Sequence, residues 1–163
     1  MKELFIIRHA KSSWSNFQER DFDRPLNERG RVAAPEMGER LVKGGITPNA
    51  IVSSPAKRAI TTARLIAGEF ERQIQIIEEP KLYHASPLLL LDIVNGLPDK
   101  FEKVFLVGHN PGLTDFSEYL SDAQLGSLPT AAVVGIRFEI DSWSLVSGST
   151  GDFFLFDYPK KVV

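Results

Sequence analysis

The sequence contains no cysteine, which excludes disulfides, thiolate metal centres and cysteine nucleophiles together and fits a reducing cytoplasm, the expected compartment. Histidine occurs three times and methionine and tryptophan twice each, so any imidazole chemistry draws on a short list. A charge excess of one sign is also missing. Lys and Arg total 19 against 21 Asp and Glu, a net −2, which leaves no general basic field for nucleic acid. Long hydrophobic runs are absent too. The most apolar stretch, Leu88–Leu91 with Ile93 and Val94, is interrupted by Asp92 and Asn95. It falls well short of the ~20 residues a spanning helix needs, so it reads as a core helix and no membrane contact is expected. Met1-Lys2-Glu3 and the four apolar residues after it lack the layout of a secretion signal.

What is present is ordinary globular material: 163 residues, 43% hydrophobic and 25% charged, with no repeat and no linker, read as a single domain over residues 1–163. Short apolar runs at Leu4–Ile7, Ala50–Val52, Ile74–Ile77 and Val104–Val107 are the mark of strands buried on both faces. Helices are predicted between them. One starts at an Asn27 cap and runs to Gly44-Gly45, with Ala33, Met37 and Leu41 on one face and Pro35 expected to kink it or delay its start. A second is capped by Ser54-Pro55, with Ala59, Ala63, Ile66 and Phe70 facing the sheet. Ser86-Pro87 and Asn110-Pro111 open two more, and Ala131–Ile140 and Phe153–Phe156 read as late strands. Ala10–Leu26 is a long loop. This alternation predicts an α/β fold, a three-layer α/β/α sandwich around a mostly parallel central sheet.

Ligands of such sheets sit beyond the carboxyl ends of the strands. There the chain places Arg8-His9, then Ser53-Ser54 with Lys57-Arg58, then Gly108-His109-Asn110. Arg58 lies one turn into its helix and can reach back over the strand end, because helical side chains tilt toward the N-terminus. Two arginines and two histidines then share one pocket, with the amides and dipole of the Pro111 helix pointing at it. In an acidic protein that concentration of cations and donors suits a phosphoryl group.

The blocks Leu4-Phe5-Ile6-Ile7-Arg8-His9-Ala10-Lys11-Ser12, Ser53-Ser54-Pro55-Ala56-Lys57-Arg58-Ala59-Ile60-Thr61-Thr62-Ala63 and Val107-Gly108-His109-Asn110-Pro111-Gly112 resemble the signature blocks of the histidine phosphatase superfamily, with its phosphoglycerate-mutase-like fold. The loop Asp21–Gly30 is most similar to the SixA branch of phosphohistidine phosphatases. The resemblance implies that His9 is the nucleophile, that Arg8 and Arg58 clamp phosphoryl oxygens and that His109 donates to the phosphoryl group in flight. It also marks departures. Mutase-like relatives carry an Asn where this chain has Ser15, a candidate phosphate ligand, and an acidic proton donor where it has His84; Asn110 joins them as a substrate-binding candidate.

Plainer roles compete for several residues. His84 alone reads as an ordinary surface histidine, Trp14 as a loop anchor rather than pocket wall, Asp21 and Asp23 as loop and cap groups, and Lys57 as an exposed helix lysine. The three histidines match no local metal-ligand spacing, so no metal and no cofactor is expected. The leading function is a phosphatase working through phosphohistidine on His9, with phosphohistidine on a protein as substrate. A phosphomonoesterase of small molecules or phosphoserine-type groups is the alternative, and an idle phosphate-binding module the third reading.

Overall fold

Runs that can be buried on both faces occupy the middle of the sheet. The structure is a computed structural model that describes residues 1–161. Its strands are β1 (Lys2–Arg8), β2 (Ala50–Ser53), β3 (Gln75–Glu78), β4 (Lys103–Gly108), β5 (Val133–Phe138) and β6 (Asp152–Asp157), ordered β3-β2-β4-β1-β5-β6. The pairings β1–β4, β2–β3 and β2–β4 are parallel, whereas β1–β5 and β5–β6 are antiparallel. Four helices, α1 (Glu28–Lys43), α2 (Lys57–Ala67), α3 (Pro87–Asn95) and α4 (Gly112–Ser121), cover the two faces. Period-two alternation divides the core accordingly. Phe5, Ile7, Phe105 and Val107 pack with Met37, Leu41, Ala59, Ala63 and Ile66 of α1 and α2. Leu4, Ile6, Val104 and Leu106 pack on the other face with Leu90, Val94, Leu113, Phe116 and the buried Trp143. Each such fully buried apolar side chain stabilises by roughly 1.5–3 kcal/mol, enough to hold the strand ends in fixed register.

The expected α/β/α sandwich is therefore present, with local corrections. Asn27 caps α1, accepting from the Gly30 amide at 2.9 Å, so the helix starts on time and Pro35 sits inside it, removing one backbone bond there. Gly30 is required because a Cβ would meet the Lys11 carbonyl oxygen, which already accepts from the Asn27 amide. α2 begins at Lys57 without a side-chain cap, two residues later than the Ser54-Pro55 signal implied, because Ser54 is engaged elsewhere. α3 is a surface helix rather than a core one: Leu90 and Val94 are buried while Leu88 is 72% exposed.

The topology creates one crevice. The segment after β1 crosses by α1 to β2, and the segment after β4 crosses by α4 to β5, leaving these adjacent strands toward opposite faces. A cleft opens beyond the carboxyl ends of strands whose connections diverge in this way. His9 and His109 follow those two strands, their ring centroids 5.2 Å apart.

Candidate active site

His9 is held by its backbone and its ring together. Its amide donates to Gly108 O at 3.1 Å, and the next amide, of Ala10, donates to Thr62 Oγ1 at 3.0 Å, tying the turn to α2. His9 Nδ1 lies 2.7 Å from Ala10 O. A carbonyl can only accept, so Nδ1 carries the proton and Nε2 keeps its lone pair. Burial, together with the positive charges of Arg58, Arg8 and Arg24, outweighs the Ala10 bond and lowers the His9 pKa to about 4. The ring is thus neutral at neutral pH, the form a nucleophile would need, which the two flanking arginines on their own suggested.

His109 is set up differently. Its Nε2 lies 2.8 Å from Ser54 Oγ, and that oxygen accepts from the Ala56 amide at 3.2 Å. Donation from the hydroxyl to Nε2, the one ring nitrogen with a partner, would place the ring proton on Nδ1. Burial first, then the charges of His9, Arg58 and His84, lower the His109 pKa to about 3. Two buried side-chain nitrogens among the described residues lack any partner, and both belong to this site: His109 Nδ1 and Arg8 Nε. Buried donors left open are costly, and both side chains also line the cavity described below. Ser54→Ala should lower kcat about tenfold, the equivalent of one lost neutral hydrogen bond, with little change in KM. The imidazole ¹⁵N shifts of His109 would report the mixed tautomer; an unchanged ring spectrum would show that Ser54 has no such influence.

Arg58 is 3% exposed and reaches back over β2 as expected, with Nε 3.4 Å from His9 Nε2. Its two terminal nitrogens hold Asp21: Nη1 donates to the backbone oxygen at 2.7 Å and Nη2 to Oδ2 at 3.0 Å. A guanidinium has five N–H donors, so two on the Nη atoms remain for a ligand. Asp21 is more than a loop group. Its carboxylate also accepts from Tyr83 Oη at 2.6 Å and Arg24 Nε at 3.1 Å. Partial burial pushes the Asp21 carboxyl up, but the bonds from Tyr83, Arg58 and Arg24 outweigh it and hold it well below the usual carboxylate range. Desolvation, then Arg58, lowers the Arg8 pKa, while Nη1 of Arg8 donates to Leu128 O at 2.7 Å.

These groups surround a cavity of about 300 Å³ into which Arg8, His9, Arg58, His109, His84 and Asn110 all project surface. Ser15 is the exception. It is exposed, bonded to Ser13 and absent from the lining, because the loop turns outward before reaching it; Ser12 and Lys11 line the cavity instead. Trp14 is 75% exposed, carries the Arg24 guanidinium 3.4 Å above its ring and lines the cavity, so it is wall and not buried anchor. His84 stands at the mouth with φ 57°, Nε2 3.5 Å from Asp21 Oδ2. The amides at the start of α4 are mostly spent within the helix, since those of Leu113 and Asp115 donate to backbone oxygens and that of Thr114 to Asn110 Oδ1. Asn110 therefore braces the helix start, and its Nδ2 donates to Leu128 O at 3.1 Å.

Sequence reasoning missed Asp21, Tyr83, Arg24 and Ser54 as site-building groups. Asp-x-x-Arg was visible in the loop, but nothing local indicated which residue it would face. Neither active-site ring should take up a proton above about pH 5, because the neutral form persists down to a depressed pKa. Long-range ¹H–¹⁵N spectra across pH 3–8 check this, and a midpoint near 6.5 for either ring would contradict the desolvated site. Among the described residues no cluster of three or more His, Asp or Glu could hold a metal ion, and no helix is long and apolar enough to cross a membrane.

Residues 4–84 match the model of the histidine phosphatase superfamily (branch 1). An uncharacterised protein of Picosynechococcus sp. is 28% identical over 97% of both chains. The 2,3-bisphosphoglycerate-dependent phosphoglycerate mutase of Streptomyces avermitilis is 36% identical over 78% of this chain and 55% of its own. The structure of SixA from Agrobacterium tumefaciens, by name a candidate phosphohistidine phosphatase, superposes with a TM-score of 0.82 and 26% identity, covering 97% of this chain and 99% of that one. The matched residues and the superposition agree, and the chain belongs to the histidine phosphatase superfamily.

Proposed function

We propose that this chain, acting as one domain, is a phosphatase that passes a phosphoryl group through His9 and takes it from a phosphorylated histidine of a protein. The observation carrying the covalent route is the His9 ring, with Nδ1 fixed on Ala10 O and Nε2 unprotonated, facing Arg58 Nε at 3.4 Å in a pocket with two arginines. The Nε2 lone pair attacks phosphorus, the bond to the leaving group breaks, and its electron pair departs with that group. Arg8, the free Nη protons of Arg58 and His109, all lining the cavity, meet the charge on the phosphoryl oxygens. Water then attacks the phosphorus of phospho-His9, releasing inorganic phosphate and returning the electron pair to Nε2.

What the cavity does not offer supports this substrate. No carboxylate lines it, and Asp21 lies behind Arg58 in the ionised form. Glu79 is turned to the Lys81 amide. An alkoxide leaving group needs a proton in the transition state, whereas an imidazole can be protonated before it leaves. The structural likeness to SixA supports the same reading. The test compares kcat/KM on a histidine-phosphorylated carrier protein and on an aryl phosphate. Preference for the phosphoprotein is expected, and an aryl phosphate turned over faster would overturn it.

The small-molecule phosphatase remains the second reading because His84 occupies the mouth where an acid would stand. If His84 only contacts substrate, His84→Gln raises KM a few fold for both substrate types and leaves kcat alone. A slowing of roughly 10² to 10⁴ confined to alkyl phosphates, the usual worth of a general acid, would favour the ester reading.

A further inference from the structure

The reaction cavity does not end at its own wall. Lys11 and Thr130 line both it and a second cavity of about 270 Å³. The second shares Arg29, Ala33, Pro159 and Lys160 with a third of about 520 Å³, which runs along α1 by Val32 to Glu36. Arg29 to Glu36 alone spans about 10 Å at 1.5 Å per residue. The middle stretch carries Lys11, Arg29 and Lys160 beside Tyr158 and Pro129, with no carboxylate in its lining. Among the described residues none of these three cations is ion-paired. At the far end two carboxylates line the wall, Glu28 beside Arg29 and Glu36 taken up by Arg40 at 2.8 Å, while Val32 is 65% exposed, so the cationic stretch is the middle one.

We infer that this trough receives an acidic segment of the substrate protein adjoining its phosphorylated residue. Carboxylates of that segment meet Arg29, Lys160 and Lys11, and its apolar side chains lie against Tyr158, Pro129 and Val32. Charge complementarity selects the sign of the occupant. Length selects its size, because the cavity of about 300 Å³ around His9 already accommodates a phosphorylated group, and the trough continues well past it. The groups at phosphorus see the same oxygens in every phosphorylated substrate, so discrimination has to come from contacts farther out. The inference rests on the protein-substrate reading above.

Synthetic phosphohistidine peptides flanked by Glu and Asp, or by Gln and Asn at the same positions, test it against the full chain and an Arg29→Glu/Lys160→Glu double variant. Glu at the Arg29 position suits the first turn of α1, and neither residue contacts the reacting atoms. The wild type should turn over the acidic peptide at least tenfold more efficiently, with the difference in KM. The double variant and 0.5 M salt should erase that preference, and the double variant should leave aryl phosphate hydrolysis unchanged. Fluorescence anisotropy of the unphosphorylated peptides reads the trough without chemistry, and the acidic one should bind more tightly. Equal binding of the two, or a preference that survives in the double variant, overturns the trough. Hydrolysis of aryl phosphate but of neither phosphohistidine peptide overturns the phosphohistidine reading, leaving the binding result to decide the trough on its own.

Discussion

His9→Ala abolishes turnover, by roughly 10⁴-fold or more, as expected for a residue that forms the covalent intermediate. The effect is chemical, not structural. The ring lies at a strand end and contributes two bonds, to Ala10 O at 2.7 Å and from Arg58 Nε at 3.4 Å, each worth about 1 kcal/mol or less, while the strands around it are held by Phe5, Ile7, Phe105 and Val107. Circular dichroism of the variant should match the wild type. Rapid quench of the wild type with labelled substrate should trap phosphate on His9, stable to base and lost in acid. More than a trace of activity in the alanine variant would remove the covalent route.

The same substitution alters acid stability in a definite direction. In the folded chain the His9 ring stays neutral to about pH 4, whereas in the unfolded chain it takes up a proton near 6.5. The unfolded state therefore binds more protons between those values, and this group's share of stability falls as pH drops from about 6.5 to 4. His109, depressed to about 3 by burial and its charged neighbours, acts in the same sense over a wider window. Urea melts at pH 7 and pH 5 should show a smaller loss of stability for His9→Ala than for the wild type.

Arg58→Ala costs about 2 to 4 kcal/mol of transition-state stabilisation, the range for losing one preorganised donor to developing charge, or about 30- to 1000-fold in kcat/KM. The loss should fall mainly on kcat, because the charge Arg58 meets grows as the phosphoryl group transfers. Arg58→Lys should recover only part. A single ammonium cannot hold the backbone and side chain of Asp21, as Nη1 and Nη2 do at 2.7 and 3.0 Å, and also face phosphate with a planar fork. Wild-type rates in the lysine variant would refute the two-sided role.

Arg58 also shows how far the sequence reaches. Its position one turn into α2, after a buried strand, was legible because strand and helix periods are local properties. So were Arg8, His9 and His109 as residues just past apolar runs, and Asn27 and Ser86 as caps accepting from amides three residues on. Patterns of apolar spacing and capping involve neighbours within a few residues, so they can be read without knowing where the chain goes next.

The sequence by itself determined the α/β order, the strand ends and the meeting of Arg8, His9, Arg58 and His109 at one cavity. Only the tertiary structure decided what stands behind them. Asp21 meets Arg58 across 37 positions and Tyr83 across 62, and Ser54 meets His109 across 55. The same packing brought Trp14 into the cavity wall, left Ser15 outside it and joined Lys11 to Tyr158 along α1. Contacts of that range depend on which sheet face each crossover covers and on the close approach of Lys11 to Gly30. Those are set by burying two apolar faces at once, a property of the whole fold that no short window of sequence contains.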